Sequence, residues 1–423
     1  MIKRTKINNL LVLVFALYLN PIGFRFSPLI CYAVLYGFAL IYVLLNYPIL
    51  RKYFLTLDYK SAALVFMCFA ILLCSALIPF FHKTYDYTYI PIAVLIFRKL
   101  FLCAFLMVAV IRCHGSRIRI QMFMLYYAMG TCCYVIGSLL FFAIPHLKEY
   151  WMSILPEIPK GLTGSYGYAT RFGWSGFSGY RNTADCTLSI IFANCIYHTK
   201  VEKQLTFFRY IFILSICILG NMFYGRMGLL VSSFCLLSSV LYYHEIRARH
   251  IFAAAFSVIV VFAVAYLLVR FVPGMNAWRR WLVVPFVNLF TTGHFNNASV
   301  NTLMNDMIFL PSLKTTLIGD GRYTEVTGSY YMHTDSGFMR IILFGGIGMA
   351  MLAYMTTLGA ILGTYRRNWF FKLMMIAFFA AFEFKGDYYY DVLPVALIIT
   401  MSRYHFKKET APADFAWNDT VYG

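Results

Sequence analysis

A segment that crosses a bilayer must satisfy its own backbone hydrogen bonds, and as a helix it needs about 20 mostly apolar residues. This sequence repeats such segments along nearly its whole length, at 8–22, 28–47, 61–81, 89–111, 120–144, 182–198, 207–223, 226–243, 251–272, 335–364, 370–385 and 388–403. Only 13% of the residues are charged and 61% are hydrophobic, against about 25% charged in a soluble domain. The expected fold is an all-α integral membrane protein of about twelve transmembrane helices, a single polytopic domain over 1–423. The 41 Phe and 33 Tyr suit lipid-facing and interfacial positions. The start, Met1 to Lys6, resembles that of a signal peptide, but no small-residue cleavage site follows, so the first apolar run is read as an uncleaved helix that Pro21 ends.

Lysine and arginine placement orients the spans. With the N-terminus inside, twenty of the 36 basic residues fall in seven short inner segments, each with two or three. The outer segments are longer and sparser in them. Both termini are therefore expected to be cytoplasmic, with two long polar loops, 145–181 and 272–334, external. The formal charge of +19 is then a topology signal and implies no nucleic-acid partner. Loops of this length are not needed to join helices, which suggests chemistry or recognition at one membrane face.

Several chemistries lack their residues. Neither long loop contains any of the eleven cysteines, and no CxxC, HExxH, P-loop or paired Cys/His spacing occurs. The cysteines read as small apolar packing residues, and no metal or other cofactor is expected. Leu317-Ile-Gly-Asp320-Gly321-Arg322 is glycine-rich but follows no expected strand, so it reads as a tight turn.

Cations at the outer mouths of spans are the first functional candidates. Arg181 opens the sixth span, beside Tyr180 and Asn182; Arg226 opens the eighth; Arg340 lies early in the tenth; Arg279 and Arg280 lie in the long loop. Each offers a guanidinium fork to phosphate oxygens, and Arg181 and Arg226 also sit near helix N-termini, which favour anions. The alternative is that such arginines snorkel or pair with nearby acids, the reading preferred for Arg270. Arg98 and Lys99 fall inside the fourth span, where they either line a lipid-phosphate groove or play a structural part. Tyr166, Tyr168, Phe172, Trp174, Phe177 and Tyr180 crowd one outer loop, as sugar-stacking rings or as interfacial anchors.

His333 and Asp335 are the acid–base candidates, with Glu325 the alternative base. A histidine titrates near neutrality and can take a hydroxyl proton. If the tenth helix begins at His333, residues 333, 337 and 340 share a face and Gly337 leaves room between histidine and arginine.

Three segments, in order, resemble the O-antigen polymerase and O-antigen ligase family of bacterial envelope enzymes. They are Ser175-Gly-Phe-Ser-Gly-Tyr-Arg-Asn182; Gly225-Arg226-Met-Gly228; and Leu317 to Gly321, followed by His333-Thr-Asp-Ser-Gly-Phe338 and Phe344-Gly-Gly-Ile-Gly348. The resemblance covers roughly 170–350. It implies a metal-independent glycosyltransferase of the multi-span C-type fold in the inner membrane. Such an enzyme moves a growing glycan from undecaprenyl pyrophosphate to a lipid-linked repeat unit at the periplasmic face, with membrane lipid and a chain-length regulator as further partners. His333, Arg226 and an arginine of the long loop match residues of the ligase, which instead uses lipid A-core as acceptor. His333-Thr-Asp335 replaces the ligase's His-Asn pair and reads as polymerase-like. The competing class is a lipid-linked oligosaccharide flippase, which central charges such as Arg98 and Lys99 would suit, although no internal repeat is visible.

Overall fold

The computed structural model describes residues 7–55, 57–115, 119–156, 172–177, 179–198, 205–243, 302–325, 328–364 and 368–409, with a few isolated positions between 259 and 291. In chain order its main helices are α1 (Asn9–Leu19), α2 (Pro28–Leu45), α3 (Tyr59–Phe81), α4 (Ile90–His114), α5 (Arg119–Ala143), α6 (Pro145–Ile154), α7 (Gly179–His198), α8 (Phe207–Tyr224), α9 (Arg226–Tyr243), α10 (Leu313–Ile318), α11 (Gly337–Gly363), α12 (Trp369–Lys385) and α13 (Tyr389–Glu409). Every expected span has a helix within a few residues of its bounds except 251–272, which falls largely outside the described residues. Six helical segments among the described residues are long and apolar enough to cross a membrane: Pro28–Leu45, Tyr59–Phe81, Tyr87–His114, Ile120–Phe141, Phe207–Tyr224 and Gly337–Gly363. The architecture is that of an all-α, multi-pass membrane protein. Polar side chains fix several helix starts. Asn8, Asp58, Thr206 and Asn368 each accept a hydrogen bond from a first-turn backbone N–H of α1, α3, α8 and α12.

The helix α1 is shorter than the first expected span. It has 11 residues, ending at Asn20 before Pro21. At about 1.5 Å per residue that is too short to cross the hydrocarbon core.

The helices form two compact units, one of residues 1–45 and 109–295, the other of 46–108 and 296–423. In the first unit, α5 carries α1 on one side, where Gly130 lies under Phe15 and Ala16. On its other side α7 and α8 close in, with Gly220 against Cys186 and Val135. Small residues let such backbones approach, and polar side chains then tie them. The Tyr127 hydroxyl donates to Asp185 (2.5 Å), and the Asn221 amide donates to Thr187 (3.3 Å) and Ser232 (3.0 Å). A short hairpin, β1 (Phe172–Gly173) and β2 (Gly176–Phe177), covers one end. Phe172 is buried against Phe141, and Trp174 packs edge-on to Tyr134 while its indole N–H donates to Asn20 O.

In the second unit α11 is the centre. Gly359 meets Leu64 of α3 and Gly363 meets Thr400 of α13. The helix is broken at Gly345 (φ −133°, ψ 17°) and Gly346 (φ 67°, ψ −171°). The carbonyls of Leu343 and Phe344 accept hydrogen bonds from the N–H groups of Asp320 (2.7 Å) and Gly321 (3.0 Å). The expected tight turn at 317–322 is only partly such: Leu317 and Ile318 end α10, and the non-helical stretch from Gly319 onward fills the break. The fit demands glycine. Gly319 and Gly346 both have positive φ, and a Cβ at Gly346 would lie 2.4 Å from Leu317 O.

Gly346→Ala is therefore expected to cost about 3 kcal/mol or more, from left-handed strain plus a backbone clash. Gly348, two residues on, has nothing within 4 Å of an added Cβ. Gly348→Ala should be neutral or stabilising by about 0.5–1 kcal/mol. Thermal unfolding in detergent checks both, and equal melting temperatures would refute the assignment of the break.

Candidate functional site

The site candidates divide between the units. In the first, Arg181 and Asn182 lie in the first turn of α7. Arg181 donates from Nη2 to Leu19 O (2.8 Å), the carbonyl that ends α1. Asn182 is buried and donates to the Tyr134 hydroxyl (3.1 Å), its Oδ1 remaining without a partner. Arg226 is the first residue of α9 and partly buried. A single residue, Gly225, separates α8 from α9, and both Gly225 and Gly228 lie against Thr183, next to Asn182. The start of α7, just past the first motif segment, therefore packs against the second. Tyr180 is partly buried beside them. The rings of Phe172 and Trp174 are engaged in packing, which favours the anchor reading for those two. Arg279, Arg280, Tyr166 and Tyr168 lie outside the described residues.

In the second unit, residues 82–89, 319–325, 328–336 and 386–388 meet at one end. The Thr84 hydroxyl donates to Gly321 O (2.5 Å), and the Asp86 carboxylate accepts from the N–H groups of Tyr323 (2.6 Å) and Thr324 (2.9 Å). Burial works to raise the Asp86 carboxyl, but hydrogen bonds from Thr88, Thr324 and Tyr323 outweigh it and hold the group below the usual carboxylate range. The Tyr323 hydroxyl donates to Asp387 Oδ2 (2.6 Å), and the Tyr89 and Tyr389 hydroxyls are 2.7 Å apart. Glu383, fully buried, accepts from Tyr388 N (2.7 Å), Tyr389 N (2.9 Å) and the Tyr354 hydroxyl (3.1 Å), so it pins the α12–α13 turn.

Arg340 lies within this end. It is 7% exposed, with ring centroids of Tyr323 and Tyr330 at 4.1 and 3.7 Å from its guanidinium carbon. Its Nε has no hydrogen-bond partner, nor has Oδ1 of the buried Asp387. Burial raises the Asp387 carboxyl, opposed by the Arg340 charge and the Tyr323 phenol.

His333 departs from the expected geometry. The helix begins at Gly337, with Ser336 at the N-cap position but no capping bond from its side chain, and His333 ends a separate single turn, Tyr331–His333. The spacing 333, 337, 340 is therefore not a helical face. Gly337 does make room, but for Glu383 and the α12–α13 turn: a Cβ there would lie 2.5 Å from Glu383 Oε1 and 2.6 Å from Gly386 O. His333 is exposed, as is Asp335, and no hydrogen bond joins them among the described residues. Desolvation by the surrounding residues raises the Asp335 carboxyl, opposed by the Arg340 and Lys385 charges. Met332 and His333 both have positive φ, 52° and 54°. Two consecutive non-glycine residues in that region hold about 1–3 kcal/mol of strain each, a state that persists only where the surroundings impose it. Glu325 accepts from Met332 N (3.2 Å), bracing the same turn.

Lys99 and Arg98 separate cleanly. Lys99 is buried and ion-paired to Asp391 of α13, with the Tyr390 ring 5.5 Å away, whereas Arg98 is exposed. Among the described residues no group of three or more His, Cys, Asp or Glu side chains is placed to hold a metal ion.

Asp387, Tyr323, Tyr330 and Glu383 are the residues that sequence reasoning passed over. Asp387 lies in the short polar stretch Lys385-Gly386-Asp387 between the last two expected spans, and the three tyrosines at 388–390 beside it are the available signal. Comparison with family models, with curated proteins and with solved structures found no match.

Removing one partner of a buried ion pair strands the other charge, at about 3–5 kcal/mol. Lys99→Met is expected to lower stability by that order, and Lys99→Met combined with Asp391→Leu to recover most of it. The double variant should keep the protein's activity if the pair is structural. Full stability with abolished activity would make Lys99 a functional group instead.

Proposed function

We propose that this chain is a metal-independent polysaccharide polymerase of the inner membrane. In this reading it transfers a growing glycan from undecaprenyl pyrophosphate to a lipid-linked repeat unit at the periplasmic face. The observation that supports it best is that the motif segments, far apart in sequence, pack together in pairs. In one unit Gly225 and Gly228 lie against Thr183, the residue that follows the 175–182 segment. In the other, residues 317–321, the end of α10 and the bend after it, fill the break at Gly345–Gly346, beside the turn that carries His333.

The reaction asks little of such a protein. The acceptor hydroxyl attacks the anomeric carbon, the carbon–oxygen bond to pyrophosphate breaks, and lipid pyrophosphate leaves. Arg226, at a helix start, and Arg181, whose first-turn position is fixed by its bond to α1, are the candidates to neutralise the leaving group. One preorganised donor of this kind is worth about 3 kcal/mol. His333 is the candidate base, being exposed and held in an unusual backbone state.

A flippase is the second reading, which the broken α11 and the buried Lys99–Asp391 pair favour, since transporters use interrupted helices and intramembrane charges. The purified chain with a short lipid-pyrophosphate repeat unit separates the two. A polymer ladder formed in detergent, unchanged by EDTA, is expected; no ladder, with translocation in vesicles, would overturn the polymerase reading. Ligation to added lipid A-core instead of a ladder would identify a ligase.

Within that assay, Arg226→Ala should lose at least about 100-fold, and Arg226→Lys should recover little because a point charge is not a fork. Arg270→Ala, at an exposed helical position, should stay near wild type. His333→Ala should fall by about 10²–10⁴-fold. Near-normal polymer would return that histidine to an ordinary surface role, and a larger loss from Asp335→Asn or Glu325→Gln would move the base there.

A further inference from the structure

The Arg340 cluster is built differently from a phosphate site. Its donors are not matched by a carboxylate: no salt bridge or side-chain hydrogen bond of Arg340 occurs among the described residues, and its buried Nε is unpartnered. Two tyrosine rings cover the guanidinium, which leaves the donors in its plane as the means of contact. Close by is an equally buried acceptor without a partner, Oδ1 of Asp387, which is 4% exposed. The two groups flank one side chain. The Tyr323 ring lies under Arg340 and its hydroxyl bonds the other Asp387 oxygen at 2.6 Å. Acidic side chains crowd this end, with Asp387 and Glu383 buried and Asp335, Asp86 and Asp320 around them.

Pyrophosphate would meet these carboxylates along with Arg340, Arg322 and Lys385, so charge alone does not select it here. An unpaired donor beside an unpaired acceptor instead calls for a group that both accepts and donates, which is a hydroxyl. A tyrosine ring, that of Tyr330 being 43% exposed, supplies the flat apolar face on which a sugar ring rests. We propose that Arg340, Asp387 and Tyr330 form a subsite for uncharged sugar hydroxyls of the acceptor glycan, distinct in chemistry from the pyrophosphate-binding arginines. This rests on the polymerase reading for the identity of the sugar, but not for the existence of the subsite. The acceptor hydroxyls accept from the Arg340 N–H groups and donate to Asp387 Oδ1, with no bond made or broken there.

The test uses the full chain in detergent and calorimetric titration with two separate probes. One is the repeat-unit oligosaccharide freed of lipid and phosphate; the other is inorganic pyrophosphate. Arg340→Lys and Asp387→Asn are expected to weaken oligosaccharide binding about tenfold or more, and to leave pyrophosphate binding within about twofold. Arg226→Ala should do the reverse. Tyr330→Ala, at a half-exposed position, should also weaken the oligosaccharide, and it keeps the test decisive if the buried variants fail to fold. Loss of pyrophosphate binding in Arg340→Lys equal to that in Arg226→Ala would overturn the proposal and make Arg340 a phosphate group. Unchanged binding of both probes in Tyr330→Ala and in whichever buried variants fold would overturn it too, leaving water as the partner of the two atoms. A wild-type chain that binds the oligosaccharide yet makes no polymer would sink the polymerase reading and leave the subsite standing.

Discussion

An unwound stretch inside an apolar helix must hand its carbonyls to a donor, because a bilayer supplies none. In α11 that duty falls to the backbone N–H groups of Asp320 and Gly321. Much of the second unit's loop end follows from these two bonds. They dock the end of α10 and the bend after it onto α11, and the chain that follows is then caught by Asp86 at Tyr323 and Thr324. Tyr323 in turn reaches Asp387 and lies against Arg340. A local backbone repair thus becomes the foundation of a long polar surface segment.

The first unit meets the same demand by other means. Its helices keep their internal ladders, and side chains such as Asn221, Thr187, Asp185 and Tyr127 bond laterally between them. Such bonds are each modest in a membrane, about 0.6–2 kcal/mol, but they specify which helix faces which. Glycines at 130, 220, 225 and 228 set the separations at which those bonds close.

The helices themselves were legible because apolar runs of sufficient length have few alternatives in a bilayer. Their ends were legible where an Asn, Asp or Thr stood ready to cap them. The start of α11 was not, because helical spacing from His333 looked plausible while two successive left-handed residues, Met332 and His333, prevent it. Residue type gives no notice of that state at Met332, although histidine visits it more often than most side chains. Lys99 was recognised as a charge needing an explanation, but its partner Asp391 lies nearly 300 positions on, and only the packing of α13 reveals the pair. The glycines of 317–322 mark a break in regular structure, but that a helix runs up to Ile318 and that the following residues fill the gap at Gly345–Gly346 required the fold. Asp387 and Tyr330 were missed because a polar turn and an aromatic loop residue are ordinary features of a membrane chain, and it is their orphaned or stacked atoms that set them apart.

The one-residue link between α8 and α9 has a consequence for how this chain can vary. With only Gly225 between two helices, no slack exists to absorb an insertion. Adding a residue ahead of Arg226 would turn the start of α9 by about 100° and swing the guanidinium away from its neighbours. The register of this hairpin is therefore frozen in length as well as in composition, and tolerance of insertions must be sought in the longer connections.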